Sequence, residues 1–306
     1  VTRQTVVFVL CPGHSGSTLL GHFLGAHPQA LHVGEFLAPL RRRRPFVCRV
    51  CEDESCPVWG SLLKEEFARA VLRRFERERR RPSVLAALWR LAGGDLRCAL
   101  HRRVLSGLPE TRVLVDSSKA IAWARWNRGG ARGLRVVYLH LRRDLRGVLA
   151  SHLSRPDAES VEAICQNLAR LGDRLLEAMA GVDPADAYSL QYEALVASPE
   201  ETGHKLCAFL GLDFDPAMLE YYKVPQHVIG GNPGPTHQVR AYLGSRSDDL
   251  EFLNRTSEEN QRFYREGRPG FLRDLRWKKT LTPEQLEIFD RIAGPTNRRL
   301  GYGDGP

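Results

Sequence analysis

The sequence predicts an α/β fold of three layers with a central, mainly parallel sheet. Two observations carry that reading. Short apolar runs bounded by turn or polar residues recur along the chain, and a helical pattern follows most of them. The buried runs are Thr5–Leu10, Arg112–Val115, Leu134–Leu141 and Ala187–Gln191, with Leu31–Val33 a shorter fifth. The helical patterns are Ser17–Leu24, Ala120–Arg128, Leu145–Leu153, Ser160–Met179 and Pro199–Leu210. In such sheets ligands bind where the strands end at their carboxyl side, and every polar motif discussed below falls at such an end.

Residues 36–110 interrupt the alternation. The segment is rich in arginine and mostly helical, and it reads as a helical insertion beside an acceptor site within one domain spanning 1–306. Residues 223–276 read as a loop-rich cover, with "IGGNPGPTHQ" expected to be neither helix nor strand. A last helix, Pro283–Ile292, is expected behind a Thr282 cap with Pro283 in its first turn.

Composition narrows the function classes. With 306 residues, 42% hydrophobic and 26% charged, the chain can bury a substantial core. It has no apolar run of the roughly 18 residues that would span a membrane. It opens on a strand rather than a leader, which favours a bacterial cytoplasmic protein; an anchored Golgi protein would need residues upstream of Val1. The net charge is +9, and only Lys64, Lys119, Lys205, Lys223, Lys278 and Lys279 among the 45 basic residues are lysine. Arginine favours forked contacts to phosphate, sulfate or carboxylate, although a coding bias yields the same composition. The runs Arg41–Arg44 and "RRFERERRR" (73–81) lack aromatic interleaving and nucleic-acid motifs, so a solvated helix face is expected and no nucleic-acid partner.

Seven cysteines in a long chain exclude a small disulfide scaffold. Cys11, Cys165 and Cys207 sit in apolar stretches and are expected to be buried thiols. Cys48, Cys51 and Cys56 are closely spaced. The expectation is that no metal binds there; the alternative is a structural zinc, if Cys98 or a histidine completes the set.

Between the first strand and its helix lies Gly13-His14-Ser15-Gly16-Ser17-Thr18. Strand, glycine-rich turn and helix point several N–H groups and a helix N-terminus at one anion, and the hydroxyls of Ser15, Ser17 and Thr18 add donors. A nucleotide-hydrolysing loop would carry lysine where Ser17 stands and glycine where Cys11 stands, so the loop is P-loop-like without being a Walker A sequence. A second anion site follows the third long strand in "VVYLHLRRDLRGVLASHLSR", where Arg143 sits at the junction and Ser151 two helical turns on.

Loop and junction together resemble the sulfotransferases that use 3′-phosphoadenosine 5′-phosphosulfate (PAPS), releasing 3′,5′-adenosine bisphosphate (PAP). The resemblance extends to "LVDSSKA" (114–120), "LQYEALVASPEETGHKLCAFLGL" (190–212), "HVIGGNPG" (227–234) and "WKKTLTPEQLEIFDRIAGPTNRRLGY" (277–302). Bacterial members are the most similar, and the tyrosine-protein sulfotransferases share the YE-x-LV and LGY motifs. The cysteines followed by Pro57-Val58-Trp59 also resemble a pattern of bacterial members.

The resemblance implies a transferase of EC 2.8.2 type acting on a hydroxyl of a saccharide, lipid, peptide tyrosine or natural product. Gly13 to Thr18 would bind the 5′-phosphosulfate, and Arg143 with Ser151 the 3′-phosphate. Tyr192 would pack near the nucleotide, Gly231 and Asn232 would contact it, and Arg240 is the nearest arginine to replace one usually found after this motif. Glu35 stands where the related enzymes hold a catalytic glutamate, and Lys119 where they hold a lysine near the sulfate. His14 replaces their usual loop cation, either as a sulfate donor or as the base itself. No catalytic metal is implied, because the leaving group is already a phosphate of low pKa. The basic surface leaves room for an acidic acceptor. A P-loop kinase and a nucleotide-binding protein without catalysis stand as alternatives.

Overall fold

Residues Thr5–Leu10 form strand β1, and all six are buried, as expected of a Val-rich strand covered on both faces. The computed structural model describes residues 3–38, 47–51, 56, 58–80, 95–244, 258, 261–262 and 270–303. The sheet has the order β2-β3-β1-β4-β5, and every pairing is parallel. Strands β2 (Ala30–Gly34), β3 (Val113–Asp116), β4 (Arg135–Arg142) and β5 (Ala187–Gln191) lie within a residue or two of the runs read from sequence. The chain builds β2 and β3 on one side of β1, then crosses to β4 and β5 on the other. The turn after β1 therefore sits at the switch point where open α/β sheets form their crevice.

Helix α1 (Ser17–Gly25) follows β1. Between β2 and β3 lie α2 (Trp59–Leu62), α3 (Glu65–Arg79) and α4 (Ala99–Gly107). Their apolar residues Trp59, Val71, Phe75 and Val104 join the buried cluster that contains β1 and β3, so these helices extend the main core. Charge pairs Arg74–Glu78 and Arg79–Glu76 line α3, consistent with alternating signs in its sequence. Arg41–Arg44 and residues 82–94 lie outside the described residues.

Helix α5 (Ile121–Arg128) follows β3. Helix α6 (Leu145–Leu153) follows β4 behind an Asp144 cap that accepts from Arg146 N–H. The long amphipathic α7 (Val161–Ala180) is capped by Ser160. After β5 come α8 (Tyr192–Ala197) and α9 (Pro199–Leu210).

Helix α10 (Pro233–Tyr242) begins inside "IGGNPGPTHQ", which corrects the expectation that this stretch is neither helix nor strand. Asn232 caps it by accepting from Gly234 N–H. Pro233 and Pro235 both fall in the first turn, where an absent N–H costs no intrahelical bond. The two prolines and three glycines of "IGGNPGPTHQ" read as turn residues but lead into a helix start. The chain ends on α11 (Trp277–Thr280), α12 (Pro283–Ile292) with the Thr282–Gln285 capping box, and α13 (Gly294–Arg299). A second buried cluster joins Leu145, Val148 and Leu149 of α6 to Ile164 and Leu168 of α7, with Trp277 and Phe289. No helix among the described residues is long and apolar enough to cross a membrane.

Candidate functional site

Sheet register brings the polar residues together. Arg142 pairs with Gln191, which sets the next residues of those strands, Arg143 and Tyr192, side by side. Gly34 pairs with Asp116, which sets Glu35 beside the turn holding Lys119. Both neighbourhoods open onto the turn after β1, so one crevice collects residues from five strand ends.

The turn itself is built for close approach. His14 has φ +63° and Gly16 φ +90°, both in the left-handed region. At Gly16 a Cβ would lie 2.5 Å from the Tyr192 ring, so only glycine lets the tyrosine cover the loop. Among the described residues, nothing stands within 4 Å of where a Gly13 side chain would begin. Ser15 is wholly buried, and its hydroxyl finds no hydrogen-bond partner among the described residues. A buried hydroxyl left unpaired costs about 1–3 kcal/mol, a cost that an anion in the loop would relieve. Ser17 and Thr18 open α1; Lys119 Nζ donates to Ser17 Oγ at 3.4 Å, and Asn232 N–H donates to Thr18 Oγ1 at 2.9 Å. Gly231, at φ +119°, passes so close that a Cβ there would meet Thr18 Oγ1 at 3.3 Å.

Arg143 is 7% exposed and is held on three sides. It donates to the His14 carbonyl at 2.7 Å and to Asp274 Oδ2 at 3.1 Å, and its guanidinium lies 4.5 Å from the Tyr192 ring centroid. Burial would raise the Asp274 pKa, but hydrogen bonds from Arg276 and the charges of Arg143 and Arg276 prevail and hold it at about 2. Tyr192 is anchored in turn by its hydroxyl, which donates to the Leu272 carbonyl at 2.9 Å. The guanidinium also runs over Gly147, 3.3 Å from where a Cβ would be. Ser151, one turn further along that face of α6, donates to the Gly147 carbonyl at 3.0 Å. Arg143 and Ser151 thus both neighbour Gly147.

Glu35 and Lys119 form an ion pair next to Ser17. Lys119 has φ +59°, a strained conformation for a side-chain-bearing residue. The preceding turn enforces it: Asp116 Oδ1 accepts from both the N–H and the hydroxyl of Ser118, at 2.9 and 2.5 Å. The other carboxylate oxygen accepts from Trp123 Nε1 at 2.9 Å and faces His101 Nε2 at 2.9 Å. Asp116 is therefore committed to scaffolding. Glu35 is positioned from the other side, its N–H donating to the Ile229 carbonyl at 2.6 Å.

His14 faces His152, with ring centroids 4.7 Å apart. Burial, then the nearby His152, Arg155, Arg143 and Lys119, push its pKa down to about 3. The imidazole is neutral near neutral pH, so it offers one N–H donor or one lone pair, without charge.

Arg240 is buried in the last turn of α10, eight residues or about 12 Å along the axis from Asn232. Three contributors escaped the sequence reading. Asp274 lies in a segment with no motif of its own. Glu193 accepts from Asp144 N–H at 3.2 Å and from the Tyr302 hydroxyl. Asn297 accepts from Leu145 N–H at 2.9 Å. The YE and LGY motifs were visible, but not that they meet around the N-terminus of α6.

An α/β fold with a P-loop-like turn at its switch point is the class that these features define. Residues 136–216 match the model of the Sulfotransferase family. Over the whole chain the structure is similar to a sulfotransferase domain from the curacin biosynthetic pathway, with TM-score 0.53, 20% identity and 99% of each chain covered. It is also similar to mouse sulfotransferase SULT7A1 complexed with PAP (TM-score 0.46, 13% identity, covering 98% of this chain and 89% of that one). A third is sulfotransferase STF1 from Mycobacterium tuberculosis H37Rv (TM-score 0.44, 17% identity, 87% and 78% covered). The fold assignment rests on the first of these. A search of curated proteins returns no match. The match to the family model is confined to residues 136–216, and the chain as a whole takes a fold similar to that of the curacin-pathway sulfotransferase domain.

Proposed function

We propose that this chain transfers a sulfuryl group from PAPS to a hydroxyl of an organic acceptor. One observation carries the reading: two cationic elements, Arg143 with Tyr192 and Lys119 with Glu35, converge on a single anion loop from opposite sides. A donor with a phosphosulfate at one end and a separate phosphate at the other asks for that layout.

The residues fit such a donor. The open space at Gly13, the unpaired Ser15 hydroxyl and the N-terminus of α1 suit the phosphosulfate. Arg143 and Ser151 suit the 3′-phosphate, with Asp274 as the guanidinium's carboxylate partner in the structure. When bound, PAPS supplies the sulfuryl group already attached to a good leaving group.

The chain's own work is then positioning and electrostatics. Glu35 takes the acceptor's proton as the acceptor oxygen bonds to sulfur, and the bond from sulfur to the phosphate oxygen breaks. Lys119, beside Ser17, offsets negative charge on the sulfuryl oxygens and on the departing phosphate. His14, neutral and only weakly basic, serves as a hydrogen-bond donor rather than the base. Acceptor selectivity is assigned to the 36–110 insertion and to the segment 223–276.

The test is incubation with radiosulfur-labelled PAPS and a panel of phenols, aliphatic alcohols, saccharides and tyrosine peptides, without added metal. Label on a hydroxyl acceptor with matching formation of PAP supports the reading. No transfer to any acceptor, together with phosphorylation from magnesium-ATP, sinks it in favour of a kinase.

A further inference from the structure

Cys48, Cys51, Cys56 and His227 converge in space, although His227 is 179, 176 and 171 residues from the three cysteines in turn. All four ligand atoms lie within 4.8 Å of one another. His227 Nδ1 is 3.9 Å from Cys48 Sγ, 3.3 Å from Cys51 Sγ and 3.4 Å from Cys56 Sγ. A tetrahedral zinc with Zn–S of about 2.3 Å and Zn–N of about 2.0–2.1 Å separates its sulfur and nitrogen ligands by about 3.6 Å. The three separations bracket that value.

We propose that these four residues form a structural zinc site. Three thiolates and one imidazole are the soft, closed donor set that zinc takes in tetrahedral structural centres, and with four protein ligands no position is left for substrate. The surroundings are built for ligation. The N–H groups of Val50 and Cys51 both approach Cys48 Sγ at 3.4 Å, a turn that wraps the sulfur in donors suited to a thiolate. Cys48 and Cys56 are 1% and 3% exposed. His227 is held on both sides: its carbonyl accepts from Trp59 Nε1 at 3.0 Å, and the next carbonyl, of Val228, accepts from Arg49 N–H at 2.8 Å. A disulfide could join only two of the three sulfurs and would leave a thiol and an imidazole crowded beside it. On binding, the three thiols each release a proton, and Nδ1 of the neutral imidazole contributes its lone pair, the ring proton residing on Nε2.

The site explains how distant segments are joined. Two residues past His227, Ile229 donates to the Val33 carbonyl at 2.9 Å and accepts from Glu35 N–H at 2.6 Å. Three further on, Asn232 N–H reaches Thr18. The metal would pin the segment after β2 to the strand-like stretch that positions Glu35 and closes over the loop. Cys98 has no part in it, its thiol donating to the Asn127 carbonyl at 3.1 Å.

Elemental analysis of protein purified without chelator from zinc-supplemented cells tests this, alongside cobalt titration of the chelator-stripped wild type. The expected results are about one zinc per chain and, on titration, the thiolate charge-transfer and strong visible bands of tetrahedral cobalt. Cys48→Ser and His227→Ala should fall to under about a tenth of a zinc per chain, while Cys98→Ser keeps its metal. Zinc-free wild-type protein with no tetrahedral cobalt spectrum overturns the proposal, whether its mass shows free thiols or a disulfide. The cobalt result needs no variant to fold. Zinc content is read without nucleotide or acceptor, so the outcome is independent of the proposed activity.

Discussion

The Arg143 guanidinium donates to the main-chain carbonyl of His14 at 2.7 Å, tying the residue after β4 to the loop after β1. The two proposed anion sites are therefore one rigid unit. Arg143→Ala should weaken PAP binding by about ten- to a hundredfold, as expected for loss of a charge-assisted contact. Binding of adenosine 5′-phosphate should change much less. Titration calorimetry of both nucleotides checks this, and equal losses would remove Arg143 from the 3′-phosphate.

Glu35 and Lys119 form an ion pair beside Ser17. Glu35→Gln keeps the shape and removes the proton acceptor. Turnover should fall by roughly a hundredfold or more, with PAP affinity within about twofold of wild type. Turnover near normal would move the base elsewhere, and His14→Gln would be the next variant to measure.

Gly16 combines φ +90° with the Tyr192 ring 2.5 Å from where a Cβ would stand. Gly16→Ala must strain the turn or displace Tyr192, at a cost on the order of 1–3 kcal/mol. Urea unfolding should show that loss, and calorimetry should show PAP affinity falling with it. A variant with wild-type stability and affinity would mean that the tyrosine does not cover the loop.

Buried histidines make the fold sensitive to acid. Burial, partly opposed by a hydrogen bond with Gln226, pushes the His22 pKa down to about 4. Burial and then Arg142 do the same for His140. With folded values depressed below the usual 6.5, the unfolded chain binds more protons between about pH 6.5 and about pH 4, so stability falls as pH falls through that window. Each tenfold difference in proton affinity between the folded and unfolded chain is worth about 1.4 kcal/mol, so the two imidazoles together cost on the order of several kcal/mol by pH 4. Urea midpoints at about pH 7.5 and about pH 5 should differ clearly. Equal midpoints would contradict neutral, buried imidazoles.

Much of the frame was legible because β1 and β4 are apolar runs with no competing pattern, and because a cap such as Thr282 has local chemistry. The loop from Gly13 to Thr18 was legible for the same reason: strand, turn and helix are consecutive. What escaped depends on long-range approach. Nothing local in "FLRDLRW" says that Asp274 meets Arg143, 131 residues away. Nothing in "PQHVIG" marks His227 as the partner of three cysteines. Around Pro233 the local signal itself misled, since proline opens a helix as readily as it breaks one.

The most direct measurement is calorimetric binding of PAP, with adenosine 5′-phosphate and magnesium-ATP as controls. The account predicts tight binding of PAP without metal, with a large loss when the 3′-phosphate is absent. Equal affinity for PAP and adenosine 5′-phosphate, or a preference for magnesium-ATP, would contradict it.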